Sequence, residues 1–160
     1  MRLLRIKIVA VGKLKEKYLT DGVAEYIKRL SLYCRPEVVE LPETRLPEAP
    51  SEKEIAAALS AEGKKILDSV SGICVALCIE GRQMSSPALS EYISRVATGG
   101  ASAITFVIGS SHGLAPEVKA RADLRLSMSE MTFPHQLARL MLAEQLYRAM
   151  SIGAGGKYHK

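Results

Sequence analysis

The sequence has no tryptophan, only two phenylalanines and no long apolar run, and each absence narrows what the protein can be. Aromatic residues make up 5% of the chain, which argues against a surface that holds single-stranded nucleic acid by stacking many bases. No stretch approaches the roughly 20 apolar residues of a membrane-spanning helix. Charged residues at positions 2, 5 and 7 also interrupt the N-terminal segment, so it lacks the apolar core of a signal peptide. We therefore expect a cytoplasmic protein without a membrane span.

Cysteine and histidine are equally sparse. The three cysteines, Cys34, Cys74 and Cys78, are too few for a disulfide framework. Cys74 and Cys78 lie in an apolar run where buried free thiols are usual, and a metal-binding pair at that spacing is the weaker alternative. None of the three histidines has a second ligand at zinc spacing. We expect no bound metal.

What the chain does contain is the composition of an ordinary globular protein. Its 160 residues are 48% hydrophobic and 24% charged, which predicts a single domain over residues 1–160. The formal net charge of +5 is compatible with a polyanionic partner but does not demonstrate one. This charge is small for a protein that would hold naked RNA through its phosphates alone.

Strand-like and helix-like segments alternate along the sequence. Strands are predicted over residues 3–11, 37–41, 73–79, 103–108 and 124–128. Helices are predicted over 15–33, 51–70, 86–98, 116–121 and 134–152. Ser51 and Glu54 form a capping-box signature, Ser86 is the expected N-cap of the third helix, and Pro134 suits the first position of the last. This order predicts an α/β fold, with a parallel-rich sheet and helices on both faces.

The last predicted helix is apolar around most of its circumference. Leu137, Leu140, Met141, Leu146 and Met150 do not share one face. A helix of this kind is buried on more than one side. In so small a domain, a subunit interface explains this pattern economically, so we expect a homodimer.

Three segments follow predicted strands and are candidates for ligand binding, because ligands of parallel sheets lie outside the carboxyl ends of the strands. They are residues 80–82, 109–114 and 129–134. The glycines at 109 and 113 match neither the dinucleotide nor the P-loop spacing, so locally they suit a plain turn. His112 could act as a ligand or as an acid or base, and a solvent-facing loop histidine is the alternative that we favour. In the third segment, unpaired backbone amides could hold an adenine or carboxylate edge, or Thr132 could simply cap the helix.

The C-terminal tail brings a phenol, an imidazole and an ammonium together at Tyr158, His159 and Lys160. Such a cluster could take part in catalysis, and it could equally be a disordered end.

Several of these stretches together resemble one family. They are residues 8–15, 106–114, 126–136 and 144–148, and the Tyr-His-Lys ending. Over the whole chain they are similar to the ribosomal RNA large subunit methyltransferase H family of the SPOUT class. The resemblance implies a SPOUT fold whose C-terminal part forms a trefoil knot, an obligate homodimer, and S-adenosylmethionine as cofactor. It also implies a substrate, N3 of a pseudouridine in the helix-69 stem-loop of 23S rRNA within assembled ribosomes.

The resemblance also assigns residues by position. Its implied cofactor contacts are Leu77, Gly109, Met128, Ser129, Glu130, Met131, Thr132 and Phe133. The family commonly has Gly-Gly where this chain has Gly109-Ser110, which puts the fit of that loop around the cofactor in question.

Catalytic roles are hypotheses on this basis. His159 and Tyr158 would act from the tail, folded over the site of their own or the partner subunit, with His159 assisting deprotonation of the acceptor. Arg139 or Lys160 would bind a phosphate or the anion, although Arg139 and Arg148 could instead form salt bridges in a dimer. The remaining alternatives are a SPOUT methyltransferase that acts on transfer RNA and a non-catalytic ribosome-binding protein.

Overall fold

Strands and helices alternate throughout the computed structural model, which describes residues 3–160. The strands are β1 (Arg5–Val11), β2 (Arg35–Leu41), β3 (Ile73–Gln83), β4 (Ala103–Ile108) and β5 (Leu124–Ser127). The helices are α1 (Lys17–Leu30), α2 (Glu52–Ser69), α3 (Ser86–Thr98), α4 (Pro116–Arg121) and α5 (His135–Gly153). All strand pairs are parallel, in the order β2-β1-β4-β3-β5. The predicted α/β fold with a parallel sheet is confirmed.

Each face of the sheet carries its own apolar core. Phe106 of β4 packs on one face with Leu142 and Leu146 of α5. Its neighbour Val107 points to the opposite face, where it joins Ile66 of α2 and Val118 of α4. This alternation follows from the period of two along a strand. Helices α1, α3 and α5 therefore cover one face, and α2 and α4 cover the other.

Local signals account for several element boundaries. Ser51 accepts a hydrogen bond from the Glu54 backbone N–H, and the Glu54 side chain accepts one from the Ser51 N–H, so the predicted capping box is confirmed. Pro36 lies inside β2, which an edge strand tolerates because one side of its backbone needs no partner.

Several boundaries differ from the sequence prediction, and three of them concern helix caps or the functional site. The N-cap of α3 is Ser85, not Ser86; its side chain accepts a hydrogen bond from the Ala88 N–H at 3.1 Å. Pro134 is the N-cap of α5 rather than its first helical residue. Strand β3 does not end at Ile79. It continues to Gln83 through an irregularity at which its register with β5 shifts between Leu77 and Arg82.

Packing within the same subunit explains why helix α5 is apolar around most of its circumference. It packs between α1 and α3 and over β4, so its own subunit covers several of its sides. The premise that it is buried on more than one side is therefore confirmed without a second subunit. Within residues 3–160, no helix is both long and apolar enough to cross a membrane.

Candidate functional site

A cavity of about 680 Å³ opens at the carboxyl ends of β3, β4 and β5. This volume lies in the range of small-molecule and cofactor sites. Its walls include every residue expected to contact the cofactor except Glu130: Leu77, Gly109, Met128, Ser129, Met131, Thr132 and Phe133. The three segments selected from the sequence therefore meet in one place.

The strand order explains why the cavity forms there. Strand β3 lies between β4 and β5, and the chain reaches β5 from β4 by crossing over β3. The segments that follow β4 and β5 consequently leave the sheet on either side of the β3 end. A crevice at such a switch point is the usual ligand site of an open parallel sheet.

Gly109 begins the turn that forms one wall of the cavity. A Cβ atom at this position would lie 2.2 Å from the carbonyl oxygen of Gly113, so no side chain fits without opening the turn. The next residue, Ser110, is buried and pairs with Gly113 in an antiparallel bridge. Positive φ among the described residues is confined to glycines, so Ser110 adopts an ordinary backbone conformation and strains nothing.

The segment before α5 is held by serine side chains. Ser127 Oγ donates to the Ser129 carbonyl oxygen, and the Met131 N–H donates to Ser129 Oγ, both at 3.0 Å. No side chain among residues 3–160 caps the N-terminus of α5, so the alternative of capping by Thr132 is wrong. His135, the first residue of the helix, lines the cavity. The uncapped first turn thus provides free N–H groups and the positive end of a helix dipole beside the cavity.

Another wall of the cavity is formed by β3, where its register with β5 becomes irregular. The segment 80–82 was expected to be a loop after a strand, and it is instead part of β3. Gly81 permits this path, because a Cβ there would lie 2.7 Å from the Arg125 carbonyl oxygen of β5. Next to it, burial raises the pKa of the Cys78 thiol, which keeps the thiol protonated and poorly nucleophilic.

The sequence did not single out Lys119 or His135 as cavity residues. Lys119, in the last turn of α4, forms an ion pair with Glu80 at the cavity rim. Lys119 and Glu80 are 39 positions apart in the sequence, so no local sequence pattern could have predicted this ion pair. His112 is exposed on the turn after β4 and also lines the cavity. No three His, Cys, Asp or Glu side chains within the described chain are arranged to hold a metal ion.

Arg139 is not a surface residue of α5. Only 1% of it is exposed, and it does not line the cavity. Its guanidinium forms an ion pair with Glu40 of β2 and donates to the Gly12 carbonyl oxygen at 2.9 Å. The Nε atom is buried without a hydrogen-bond partner in the described chain. Arg139 therefore links the start of α5 to the ends of β1 and β2.

The C-terminal tail is packed against α1 and α5. The Tyr158 ring meets Tyr147 edge-on at 4.7 Å, and its hydroxyl lies 3.3 Å from that of Tyr26. This hydrogen bond, together with burial, raises the pKa of Tyr158 to about 12. Arg148 Nη1 lies 3.1 Å from His159 Nδ1 and donates to it.

This arrangement separates the tail from its own cavity. Arg148, the partner of His159, lies ten residues after Ala138, the last residue of α5 that lines the cavity. At 1.5 Å per residue the two are about 15 Å apart along the helix axis. Neither Tyr158 nor His159 lines the cavity of the same subunit.

Comparison with known proteins places this geometry in a family. Residues 4–159 match a family model described as a predicted SPOUT methyltransferase. The ribosomal RNA large subunit methyltransferase H of Bacillus cytotoxicus is 51% identical over 159 residues, which cover 98% of this chain and all of the relative.

Solved structures share the fold at low identity. A probable methyltransferase from Bordetella pertussis has a TM-score of 0.58 and 16% identity, covering 92% of this chain and 96% of its own. A putative methyltransferase from Legionella pneumophila, in complex with bound SAM, has a TM-score of 0.52 and 11% identity, over 91% of this chain and 66% of its own. The fold, the cavity and the full-length similarity agree, and the chain belongs to the ribosomal RNA large subunit methyltransferase H family of SPOUT methyltransferases.

Proposed function

We propose that this protein is a cytoplasmic, S-adenosylmethionine-dependent methyltransferase of large-subunit ribosomal RNA, with all 160 residues acting as one domain. The observation that carries the proposal is the cavity, because the residues that the family resemblance assigns to cofactor binding surround it almost without exception. The 51% identical relative is named for ribosomal RNA, which favours this substrate over transfer RNA. A formed cavity of this size also favours an enzyme over a module that only binds ribosomes.

The residues present suit S-adenosylmethionine. Leu77, Met128 and Phe133 give the cavity apolar walls against which an adenine ring can pack. The close approach at Gly109 lets backbone groups reach a ligand. The uncapped first turn of α5 provides donors and a positive potential for a carboxylate. When bound, the cofactor supplies an electrophilic methyl group on its sulfonium.

As acceptor we propose N3 of a pseudouridine in the helix-69 stem-loop of 23S rRNA, in assembled ribosomes. This nitrogen carries a weakly acidic proton, so a neighbouring base or cation favours its reaction. Because its Nδ1 accepts from Arg148, the neutral His159 ring carries its proton on Nε2, and it would assist deprotonation by donating from Nε2–H to the carbonyl oxygen beside N3 and so stabilising the anion. Tyr158 would hold the tail in place through Tyr26. Arg139 would act through the position of α5, given its burial.

The geometry supports a homodimer in which the tail of one subunit completes the cavity of the other. Within one subunit, Arg148, the residue that holds His159, lies about 15 Å along α5 beyond the cavity wall, which favours a tail that acts from a second copy. We also propose that the C-terminal part forms a trefoil knot. It is supported by the path from β5, at one sheet edge, to α5, which packs over β4 in the sheet interior.

Methylation of ribosomes from a strain that lacks this activity tests the function. Radiolabel from S-adenosylmethionine is expected in the large-subunit RNA of assembled ribosomes, and mapping is expected to locate it at one pseudouridine of the helix-69 loop. Label in transfer RNA alone would favour the alternative of a SPOUT methyltransferase that acts on transfer RNA. Absence of S-adenosylmethionine binding by calorimetry would favour the non-catalytic alternative.

The tail is tested by His159→Ala and by removal of residues 157–160, each expected to lose most methylation while keeping cofactor affinity. Complementation then separates the two subunit arrangements. A tail-less subunit co-expressed with a Gly109→Ala subunit forms mixed dimers with one intact cavity and one intact tail across the interface. If the tail acts across the dimer, about a quarter of the parental activity returns. If it acts within its own subunit, the mixture stays inactive.

A further inference from the structure

The segment between β1 and the first turn of α1 contains the sequence Lys-Leu-Lys-Glu-Lys-Tyr at positions 13–18. We call residues 13–18 the basic segment. None of them lines the cavity, and nothing in the proposed catalytic scheme uses them. All four charged side chains of the segment are exposed to solvent, and so is Tyr18.

The basic segment is attached to the helix that begins at the cavity. The Lys15 backbone N–H donates to Gln136 Oε1 at 3.0 Å. Gln136 follows His135, which lines the cavity. One residue before the segment, the Gly12 carbonyl oxygen accepts from the buried Arg139. Two long-range hydrogen bonds thus hold the basic segment beside the first turn of α5, at the cavity rim.

Two ammonium groups of the segment are free to bind a partner. Within residues 3–160, neither Lys13 nor Lys15 lies within ion-pair distance of a carboxylate. Lys17 differs, because it pairs with Asp21 at 2.6 Å. Glu16 adds a negative charge to the segment. The surface is therefore not uniformly basic, and it suits contacts with individual phosphates better than a general attraction for polyanions.

Tyr18 adds an aromatic surface to these cations. It is 69% exposed, although it is a large residue on the first turn of a helix. Gly22, one turn further on the same face of α1, packs against Leu140 of α5, so Tyr18 is on the side of α1 that faces α5. An exposed aromatic ring beside lysines is the arrangement by which proteins hold single-stranded nucleic acid, since every base has a face to stack.

From this geometry we infer that the basic segment is a docking site for the substrate RNA. Lys13 and Lys15 contact two backbone phosphates, and one unpaired base stacks on Tyr18. A loop nucleotide bound there would lie next to the cavity opening, which places a neighbouring nucleotide at the site of methyl transfer. The inference rests on the proposed function, and it goes beyond it by assigning substrate contacts outside the cavity.

The test uses the full-length protein and unmethylated ribosomes. Lys13→Ala/Lys15→Ala is expected to raise the KM for ribosomes about tenfold and to leave kcat and cofactor affinity unchanged. The slope of log affinity against log salt should fall by about 1.4, because each single-strand phosphate contributes about 0.7. Tyr18→Ala is expected to weaken ribosome binding by about tenfold, and Tyr18→Phe should retain binding, because the ring is kept. The control variant Lys53→Ala/Lys64→Ala removes two exposed lysines from α2, on the opposite face of the sheet. It should change neither the KM for ribosomes nor the slope of log affinity against log salt.

A photo-crosslinking amino acid in place of Tyr18 identifies the partner directly. Crosslinks to the large-subunit RNA support the inference, and crosslinks only to ribosomal proteins overturn it. An unchanged KM and salt slope in the Lys13→Ala/Lys15→Ala variant would also overturn it. So would dissociation of the dimer by Tyr18→Ala, since Tyr18 would then belong to a subunit interface. These failures concern the variants alone, whereas failure of the proposed function would leave the parent protein itself without ribosome methylation.

Discussion

Gly109→Ala tests the link between the turn after β4 and cofactor binding. The added Cβ would lie 2.2 Å from the Gly113 carbonyl oxygen, whereas carbon–oxygen contacts are ordinarily about 3.3 Å. The turn must therefore open by about 1 Å. Overpacking of this kind costs about 1–3 kcal/mol of unfolding free energy. For a domain of this size, the corresponding decrease in Tm is about 2–12 °C.

The same displacement moves a wall of the cavity. A misplacement of about 1 Å in a catalytic site can lower the rate by about 100-fold. We expect Gly109→Ala to bind S-adenosylmethionine much more weakly in calorimetry and to lose about 100-fold in kcat/KM for ribosome methylation. Circular dichroism should still show a folded α/β protein, so that the loss can be assigned to the cavity.

Gly100→Ala is the matched control for this variant. Gly100 has a φ of +107° and nothing within 4 Å of a Cβ, so alanine there meets backbone strain without a steric clash. We expect it to lose about 1–2 kcal/mol of stability and to keep cofactor affinity. If Gly109→Ala binds S-adenosylmethionine within twofold of the parent protein, the assignment of this turn to the cofactor site is wrong.

Three further predictions concern buried or hydrogen-bonded groups. Arg139→Met removes the ion pair with Glu40 and the hydrogen bond to the Gly12 carbonyl oxygen, and because Glu40 is exposed and water can solvate it, the unfolding free energy in urea should fall by only about 1–2 kcal/mol. Burial raises the pKa of Cys34 to about 12, so at pH 8 only about one thiol in 10⁴ is ionised, and mass spectrometry should find it unalkylated by iodoacetamide in the folded protein. The hydrogen bond with Tyr26 raises the pKa of Tyr158 to about 12 from an ordinary value near 10. Its contribution to stability should be complete below pH 10 and lost as pH rises towards 12, a dependence that stability measurements should find reduced in Tyr158→Phe.

Each of these predictions has a control. Arg45→Met removes an exposed arginine and should change the unfolding free energy by less than about 0.5 kcal/mol; an equal loss in both arginine variants would argue against a special role for Arg139. Cys34 should react once the protein is unfolded in denaturant, and rapid alkylation in the native state would contradict its burial. Tyr18→Phe, at an exposed site, should keep the parental pH dependence. The same loss of stability between pH 10 and 12 in Tyr158→Phe as in the parent protein would contradict the role of its hydroxyl.

Local sequence was enough to predict the α/β class and most element positions. The capping box at Ser51, the buried apolar run of β4 and the glycines of the turn after it each reflect constraints within a few residues. Of the boundaries that were predicted wrongly, the cap at Ser85 rests on a local hydrogen bond from Ala88, whereas the end of β3 depends on contacts with β5. Gly81 continues β3 only because β5 passes close to it.

The tertiary structure alone decided how the separate segments combine. The three candidate segments form one cavity because the strand order places β4 and β5 on either side of β3. Arg139 is chemically suited to bind an anion, yet the fold buries it against Glu40, 99 positions away. His159 is likewise packed against Arg148, at a distance from its own cavity that the length of α5 imposes. Periodicity and capping are encoded within one element, whereas these pairings depend on how all the elements pack, and no single stretch of sequence contains that information.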